Sequence, residues 1–291
     1  MLNKLTNLRI DSTCNSESIK NHKSLLTFDF SLKTPSYYIE KQNNSIKIVF
    51  EDTPLNMPEG KFKVLDGIIS YVEIKTEGTN ILAEIILDFP SNFEVETIEG
   101  IPAKFNLYID RSPLIEILKD KKILINPGFS IKTASPTGLL QHIPMMGIAK
   151  KLNFLLNNCC AQSQLVWEKS PEEKNIVSFE DGILVDTFTE ISPTKQSGFK
   201  VYYEEGNEIS SKLAKYINEA MEQKLQLSNL GIYSKAYSHK NTIIPIGVVP
   251  AMENVRLDDA HLRDVDYRNK VAQAIFNGLI KFYSQIKKTG S

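Results

Sequence analysis

Few residues of this chain have the type and spacing that chemistry requires. The four histidines, His22, His142, His239 and His261, are scattered. No His-Glu-x-x-His pair sets two imidazoles on one helix face around a metal, and neither a Gly-x-Ser-x-Gly elbow nor a phosphate loop is present. Asp186, Glu190 and His142 carry the oxygen and nitrogen donors from which a metal site without thiolates would be built. The three cysteines are Cys14 and the neighbours Cys159 and Cys160. An odd count without spaced pairs describes neither a disulfide framework nor a thiolate metal site. Adjacent cysteines sit too close for an ordinary disulfide, so the pair reads as small buried apolar residues. No histidine near them in sequence suggests a partner for a cysteine nucleophile.

The composition excludes several function classes. Lys and Arg number 34 against 35 Asp and Glu, a net charge of −1, so no global field favours nucleic acid or an anionic surface. The 291 residues are 42% hydrophobic and 24% charged, the balance of a globular chain of two domains or one large one. No apolar run reaches the roughly 20 residues that span a bilayer. Met1–Thr6 lacks the apolar core of a signal peptide, so the chain is either cytoplasmic or has had a targeting segment removed.

The elements that must position these residues change style near Ser112-Pro113, predicting domains of residues 1–112 and 113–291. Before the change, apolar residues alternate, as in half-buried strands at 26–32, 46–50, 68–74 and 81–89. The order of elements repeats. Leu26–Phe30, Pro35, Tyr37–Glu40 and Ile46–Phe50 are matched by Ile85–Phe89, Pro90, Phe93–Glu96 and Phe105–Ile109. Two three-strand units of this kind predict a small β-sandwich, each unit burying its apolar face on the other.

After the change, strands alternate with helices. Lys122–Ile125 enters the turn Asn126-Pro127-Gly128 as a buried strand would. Ile148, Leu152, Leu155 and Leu156 share one helix face, and further strands are predicted at 163–167, 183–185, 199–203 and 243–249. Residues 209–221 form an amphipathic helix, and Val271, Ala274, Ile275, Gly278, Leu279 and Phe282 mark a last one, with Asn269, Gln273 and Asn277 on its solvated side. The pattern predicts an α/β domain with a mostly parallel sheet.

From about Lys122 to Tyr283 the chain resembles the zinc-dependent N-acetylmuramoyl-L-alanine amidases of bacterial cell walls. The resemblance rests on Ile125-Asn126-Pro127-Gly128, on Gly198-Phe199-Lys200-Val201-Tyr202-Tyr203 and on Asp266–Ile275 in that order. The first part resembles the AMIN domain that often precedes such amidases, whose sandwich is also pseudosymmetric. The resemblance implies three zinc ligands and a catalytic glutamate, with zinc polarising the amide carbonyl and activating water. It also assigns their positions. A histidine should follow the Asn-Pro-Gly turn, where Phe129 stands. A glutamate should lie three residues after a glycine, where Gly138 leads to Gln141. A histidine should follow the strand at 183–185, where Phe188 stands. The catalytic glutamate should lie five residues after Pro245, at Pro250.

The resemblance therefore implies a zinc site that is lost at all four positions, no cofactor, and a dry cluster of phenylalanine rings where ligands and metal would stand. It implies a non-catalytic cell-envelope protein that binds peptidoglycan or an envelope protein partner, with the fold as a recognition module, a regulator or a structural subunit. An active hydrolase using other residues remains the alternative, with His142 as a displaced ligand and Glu253 in place of the glutamate. Tyr37, Tyr38, Tyr202 and Tyr203 are the aromatic residues for a sugar face, although neighbours on a strand point to opposite faces.

Overall fold

The computed structural model describes residues 2–11, 22–128, 135, 137–166, 181–237 and 243–289. The chain divides into two compact units, Met1–Glu116 and Ile117–Ser291.

The first unit is built from β1 (Leu5–Asp11), β2 (Lys23–Phe30), β3 (Tyr37–Gln42), β4 (Ser45–Phe50), β5 (Gly60–Lys63), β6 (Ile69–Glu77), β7 (Asn80–Leu87), β8 (Phe93–Ile98) and β9 (Ala103–Asp110), with helix α1 (Ser112–Leu118) after them. The strands form two antiparallel sheets, ordered β1-β2-β9-β8 and β3-β4-β7-β6-β5. The alternation in the sequence sends Phe28, Phe30, Phe50 and Phe105 inward, where all four are fully buried. They hold the two sheets together: the Phe50 ring lies 5.3, 5.0 and 5.2 Å from Phe28, Phe30 and Phe105. Their tilted and edge-on geometry suits the ring quadrupoles.

The repeated elements are β2-β3-β4 and β7-β8-β9, but each copy does not make its own sheet. The first strand of each copy pairs with the last strand of the other, Phe28 opposite Phe105 and Val49 opposite Leu82. The prolines explain the interlacing. Pro35 and Pro90 follow the first strand of each copy, and there the chain leaves one sheet and enters the other, since proline cannot donate to a ladder. Each copy also gains a leading strand, β1 beside β2 and β6 beside β7. A buried ion pair closes one end of this unit: Arg111 bonds Ser24 Oγ at 2.9 Å and Asp66 at 3.1 Å, and Asp66 accepts the Ile68 and Ile69 amides.

The second unit contains β10 (Lys122–Pro127), α2 (His142–Asn157), β11 (Gln162–Leu165), β12 (Gly182–Thr187), β13 (Phe199–Glu204), α3 (Glu208–Lys224), β14 (Asn229–Lys235), β15 (Ile243–Val249), α4 (Arg256–Arg263) and α5 (Val265–Thr289). The strand predicted at 163–167 ends at Leu165; Trp167 lies outside the described residues. The sheet order is β11-β10-β12-β15-β13-β14. It is mixed: four neighbouring pairs are parallel and β13 runs antiparallel to β15.

Helix α5 packs on both α2 and α3, so the three cover one face of the sheet. Ile123, Ile125, Val185, Ile246, Val248 and Val201 are buried beneath them. Gly278 makes this layer possible. A side chain there would lie 2.7 Å from the Ile217 backbone, so only glycine allows α5 to approach α3 so closely. The Ser210 hydroxyl of α3 donates to the Pro245 carbonyl at 2.6 Å, fixing the helix on the central strand β15. Residues of the opposite face, Asn126, Asp186 and Tyr202, stay half-buried and Tyr233 is exposed. Among the described residues no helix is long and apolar enough to cross a membrane.

Candidate functional site

In an α/β sheet ligands bind outside the carboxyl ends of the strands, where loops from several strands converge. Here β10, β12 and β15 end side by side. The Gly128 amide donates to Thr187 O at 2.7 Å, and the Phe188 amide donates to Val248 O at 3.1 Å. Gly128 lies close against Phe188: a side chain at 128 would sit 3.0 Å from the Phe188 β-carbon.

Three of the four sequence-selected positions can be located. Phe188 and Pro250 directly follow the paired strands β12 and β15. Gln141 is buried just before α2, and its side chain does not cap that helix. Phe129 lies outside the described residues, although Gly128 before it shares the strand edge with Phe188. Pro250 is held by its carbonyl, which accepts the Tyr267 hydroxyl at 2.6 Å. Burial, and then the charge of Asp258, pushes the Tyr267 hydroxyl well above its ordinary range, so it acts as a fixed donor.

Phe188 is not part of a dry apolar cluster. Its ring lies 5.9 Å from Tyr202, and the Tyr202 ring lies 5.8 Å from Tyr233. The Lys235 ammonium stands 4.2 Å from the Phe188 ring centre, 5.6 Å from Tyr237 and 5.8 Å from Tyr202. The rings settle on the sheet because residue 247 is glycine; a side chain there would meet the Tyr237 hydroxyl at 2.5 Å and the Phe188 ring at 3.0 Å. The expectation failed because it counted only phenylalanines. Strand β13 contributes Tyr202, and β14 with the residues after it contributes Tyr233, Lys235 and Tyr237, so the Phe188 ring packs among polar aromatic residues and a cation.

Carboxylates around these rings are engaged. Glu190 accepts the Tyr202 hydroxyl at 2.9 Å and the Lys200 ammonium at 3.2 Å. Asp186 accepts from the Asn126 amide at 2.8 Å, and Glu204 from Asn207 at 2.8 Å. Burial and then the Glu190 contact raise Tyr202 well above its ordinary range. Burial and then the Asp186 charge do the same to Tyr237. Both hydroxyls stay protonated at neutral pH and can donate.

The alternative donors do not assemble. Among the described residues no three His, Cys, Asp or Glu side chains are grouped to hold a metal, so Asp186, Glu190 and His142 do not form the site considered for them. Glu253 is buried in the turn after β15, with its amide donating to Glu190 O at 2.7 Å. His261 stacks 5.0 Å from Tyr267, and His239 lies outside the described residues. Cys159 is buried as expected, but Cys160 is exposed, because it follows the end of α2 in a left-handed conformation that turns it outward. Tyr37 and Tyr38 are both exposed, and the Tyr37 ring still reaches within 4.8 Å of Phe105.

Sequence reasoning overlooked Asp258 and Lys235. Asp258 is fully buried and binds the Met252 amide at 2.7 Å, the Gly198 amide at 3.0 Å and the Ser197 hydroxyl, joining the loop after β15 to the loop before β13. The acidic pair in the first turn of α4 was its signal. For Lys235 the signal was the alternation Tyr233, Lys235, Tyr237, whose first two residues share one face of β14.

Comparison with known proteins bears on the second unit. Residues 147–281 match the family model described as N-acetylmuramoyl-L-alanine amidase. No curated protein sequence matches the chain. Among solved structures, the amidase AmiC2 of Nostoc punctiforme is 19% identical with a TM-score of 0.51, over 57% of this chain and 99% of its own. The CwlD amidase of Clostridioides difficile, solved in complex with the GerS lipoprotein, is 18% identical with a TM-score of 0.52, over 57% of this chain and 100% of its own. The catalytic domain of the amidase CwlV from Bacillus (Paenibacillus) polymyxa is 17% identical with a TM-score of 0.50, over 56% and 98%. These likenesses show the fold of the second unit, and residues 147–281 within it match the N-acetylmuramoyl-L-alanine amidase model.

Proposed function

We propose that this chain is a non-catalytic cell-envelope protein that uses an amidase fold to bind peptidoglycan. The observation that carries this reading is Phe188 at the end of β12, with the Lys235 ammonium 4.2 Å from its ring. The family's chemistry needs lone-pair donors around zinc at this strand edge. A phenyl ring and the Pro250 ring offer none, and an ammonium beside the phenyl ring repels a divalent cation. The residues present do not fit zinc, and no hydrolytic step can be drawn through it here. Gln141, a neutral amide, and Phe129 support the same reading. The N-terminal sandwich serves in this proposal as an AMIN-like module that holds the protein on the wall.

A relative of the same fold was solved with a lipoprotein partner. A regulatory or scaffolding role toward an active wall enzyme is therefore part of the proposal.

The test uses the full chain with purified sacculi and soluble muropeptides. The expected result is co-sedimentation with sacculi, no release of peptide from glycan, and no zinc retained after gel filtration. Stoichiometric zinc together with amide cleavage would overturn the reading.

A further inference from the structure

The exposed face of the amidase-like sheet carries a feature that a lost metal site does not require. Phe188, after β12, Tyr202 of β13 and Tyr233 of β14 form a row of rings that passes over Gly247 of the intervening β15, spaced 5.9 and 5.8 Å and tilted by 31° and 36° to each other. Tyr233, at one end of the row, is 45% exposed. The Lys235 ammonium stands 4.2 Å from the Phe188 ring centre and 5.8 Å from that of Tyr202, with Tyr237 beside the row at 5.6 Å, and the Lys200 ammonium lies 5.5 Å from Tyr233.

The charges around the row are unevenly matched. Glu190 pairs with Lys200 and accepts from Tyr202, while Asp186 and Glu204 accept from the neutral amides of Asn126 and Asn207. The ammonium of Lys235, exposed at the end of β14, has only ring contacts among the described residues. A cation held by rings and lacking a carboxylate partner is ready to meet an anion. The rings preorganise it, so little side-chain freedom remains to be lost on binding.

The anion is best matched by one carboxylate on a sugar. A single ammonium is a point charge without the fork of an arginine or a nest of amides, so the site lacks what usually selects phosphate. A row of rings offers flat faces for successive sugar rings, which one ring would not. In intact peptidoglycan the muramoyl carboxyl is tied to L-alanine as an amide, which is neutral. Hydrolysis breaks that C–N bond, water supplies the oxygen and a proton, and the products are an amine on the peptide and a carboxylate on the sugar. The carboxylate that Lys235 would pair with therefore exists only after an amidase has acted.

We propose that the Phe188–Tyr202–Tyr233 row with Lys235 binds glycan strands from which amidases have removed the peptides. This rests on the reading of the chain as a non-catalytic wall binder and names the ligand of that site. It puts the protein downstream of an amide-hydrolysing reaction.

The experiment measures affinity of the full chain, by calorimetry, for three soluble probes: peptide-bearing glycan strands, the same strands after amidase digestion, and a chitin oligomer, which lacks the lactyl carboxylate. Digested strands are expected to bind more tightly than either other probe. Lys235→Met keeps the aliphatic stem but removes the charge. It should weaken binding of digested strands about fivefold, the scale of a partly exposed ion pair, and leave the chitin oligomer unchanged, while Lys235→Arg restores affinity. Tyr233→Ala should weaken both. Peptide-bearing strands binding as tightly as digested ones, or indifference to Lys235→Met, overturns this inference and leaves the wall-binding reading standing. Failure of all three probes to bind overturns both.

Discussion

The Tyr267 hydroxyl donates to the Pro250 carbonyl at 2.6 Å and so ties the start of α5 to the loop that leaves the central strand. Both groups are buried. The carbonyl has no water to turn to when the donor is removed. Tyr267→Phe should therefore lower stability by about 1–3 kcal/mol, the cost of an unsatisfied buried acceptor. Thermal melting followed by circular dichroism reads this, and an unchanged melting temperature would show that the carbonyl finds another donor.

Five tyrosines, Tyr108, Tyr202, Tyr237, Tyr267 and Tyr283, are raised above the ordinary value of 10.0, each chiefly by burial. The protonated form is favoured in the folded state. Their contribution is complete below pH 10 and is lost as pH rises above it, because the unfolded chain releases protons that the folded chain keeps. Chemical denaturation at stepped pH should give flat stability from neutrality to about pH 9 from these groups, then a fall. Tyr267→Phe should make that fall shallower.

Gly278 faces the Ile217 backbone, which a side chain would approach to 2.7 Å. Alanine would improve helix propensity at an exposed site, but here it must push α5 off α3. Gly278→Ala is expected to destabilise the second unit by about 1–3 kcal/mol, as overpacking does. A rise in melting temperature would mean that the two helices can separate freely.

Asp258 accepts two amides and a hydroxyl while wholly buried. Asp258→Ala strands those donors and should cost about 3 kcal/mol or more. Asp258→Asn keeps one acceptor and the shape, so it should cost less. Urea titration of the two variants distinguishes these outcomes, and equal losses would argue that charge alone matters.

Zinc should leave the melting temperature unchanged when added at micromolar excess. A ligand that binds only the folded state stabilises it by mass action, and Phe188, Lys235 and Pro250 offer no such binding. A saturable upward shift would point to donors elsewhere in the chain.

Much of the architecture was legible because it depends on local pattern. The alternating strands of the first unit, the strand Ile243–Val249 and the helix bearing Val271 to Phe282 follow from periodicity. So did the repeat, whose order of elements survives as β2-β3-β4 and β7-β8-β9. Its interlacing was not legible, because pairing partners lie more than 30 residues apart and period-two residues fit any neighbour of matching face. The short helices α1 and α4 were missed because one or two turns give too little periodicity to recognise.

For the site, the sequence by itself determined which residue types stand where the family's ligands are expected: Gln141 and Phe188 and Pro250, beside Phe129 outside the described residues. Identity alone says that a ring carbon cannot hold a metal. Only the tertiary structure decided what those positions became. β13 pairs antiparallel with β15 and parallel with β14, and that arrangement carries Tyr202, Tyr233 and Lys235 to Phe188. Lys235 and Phe188 are 47 residues apart in sequence, so no spacing rule could have paired an ammonium with that ring. Sheet order did.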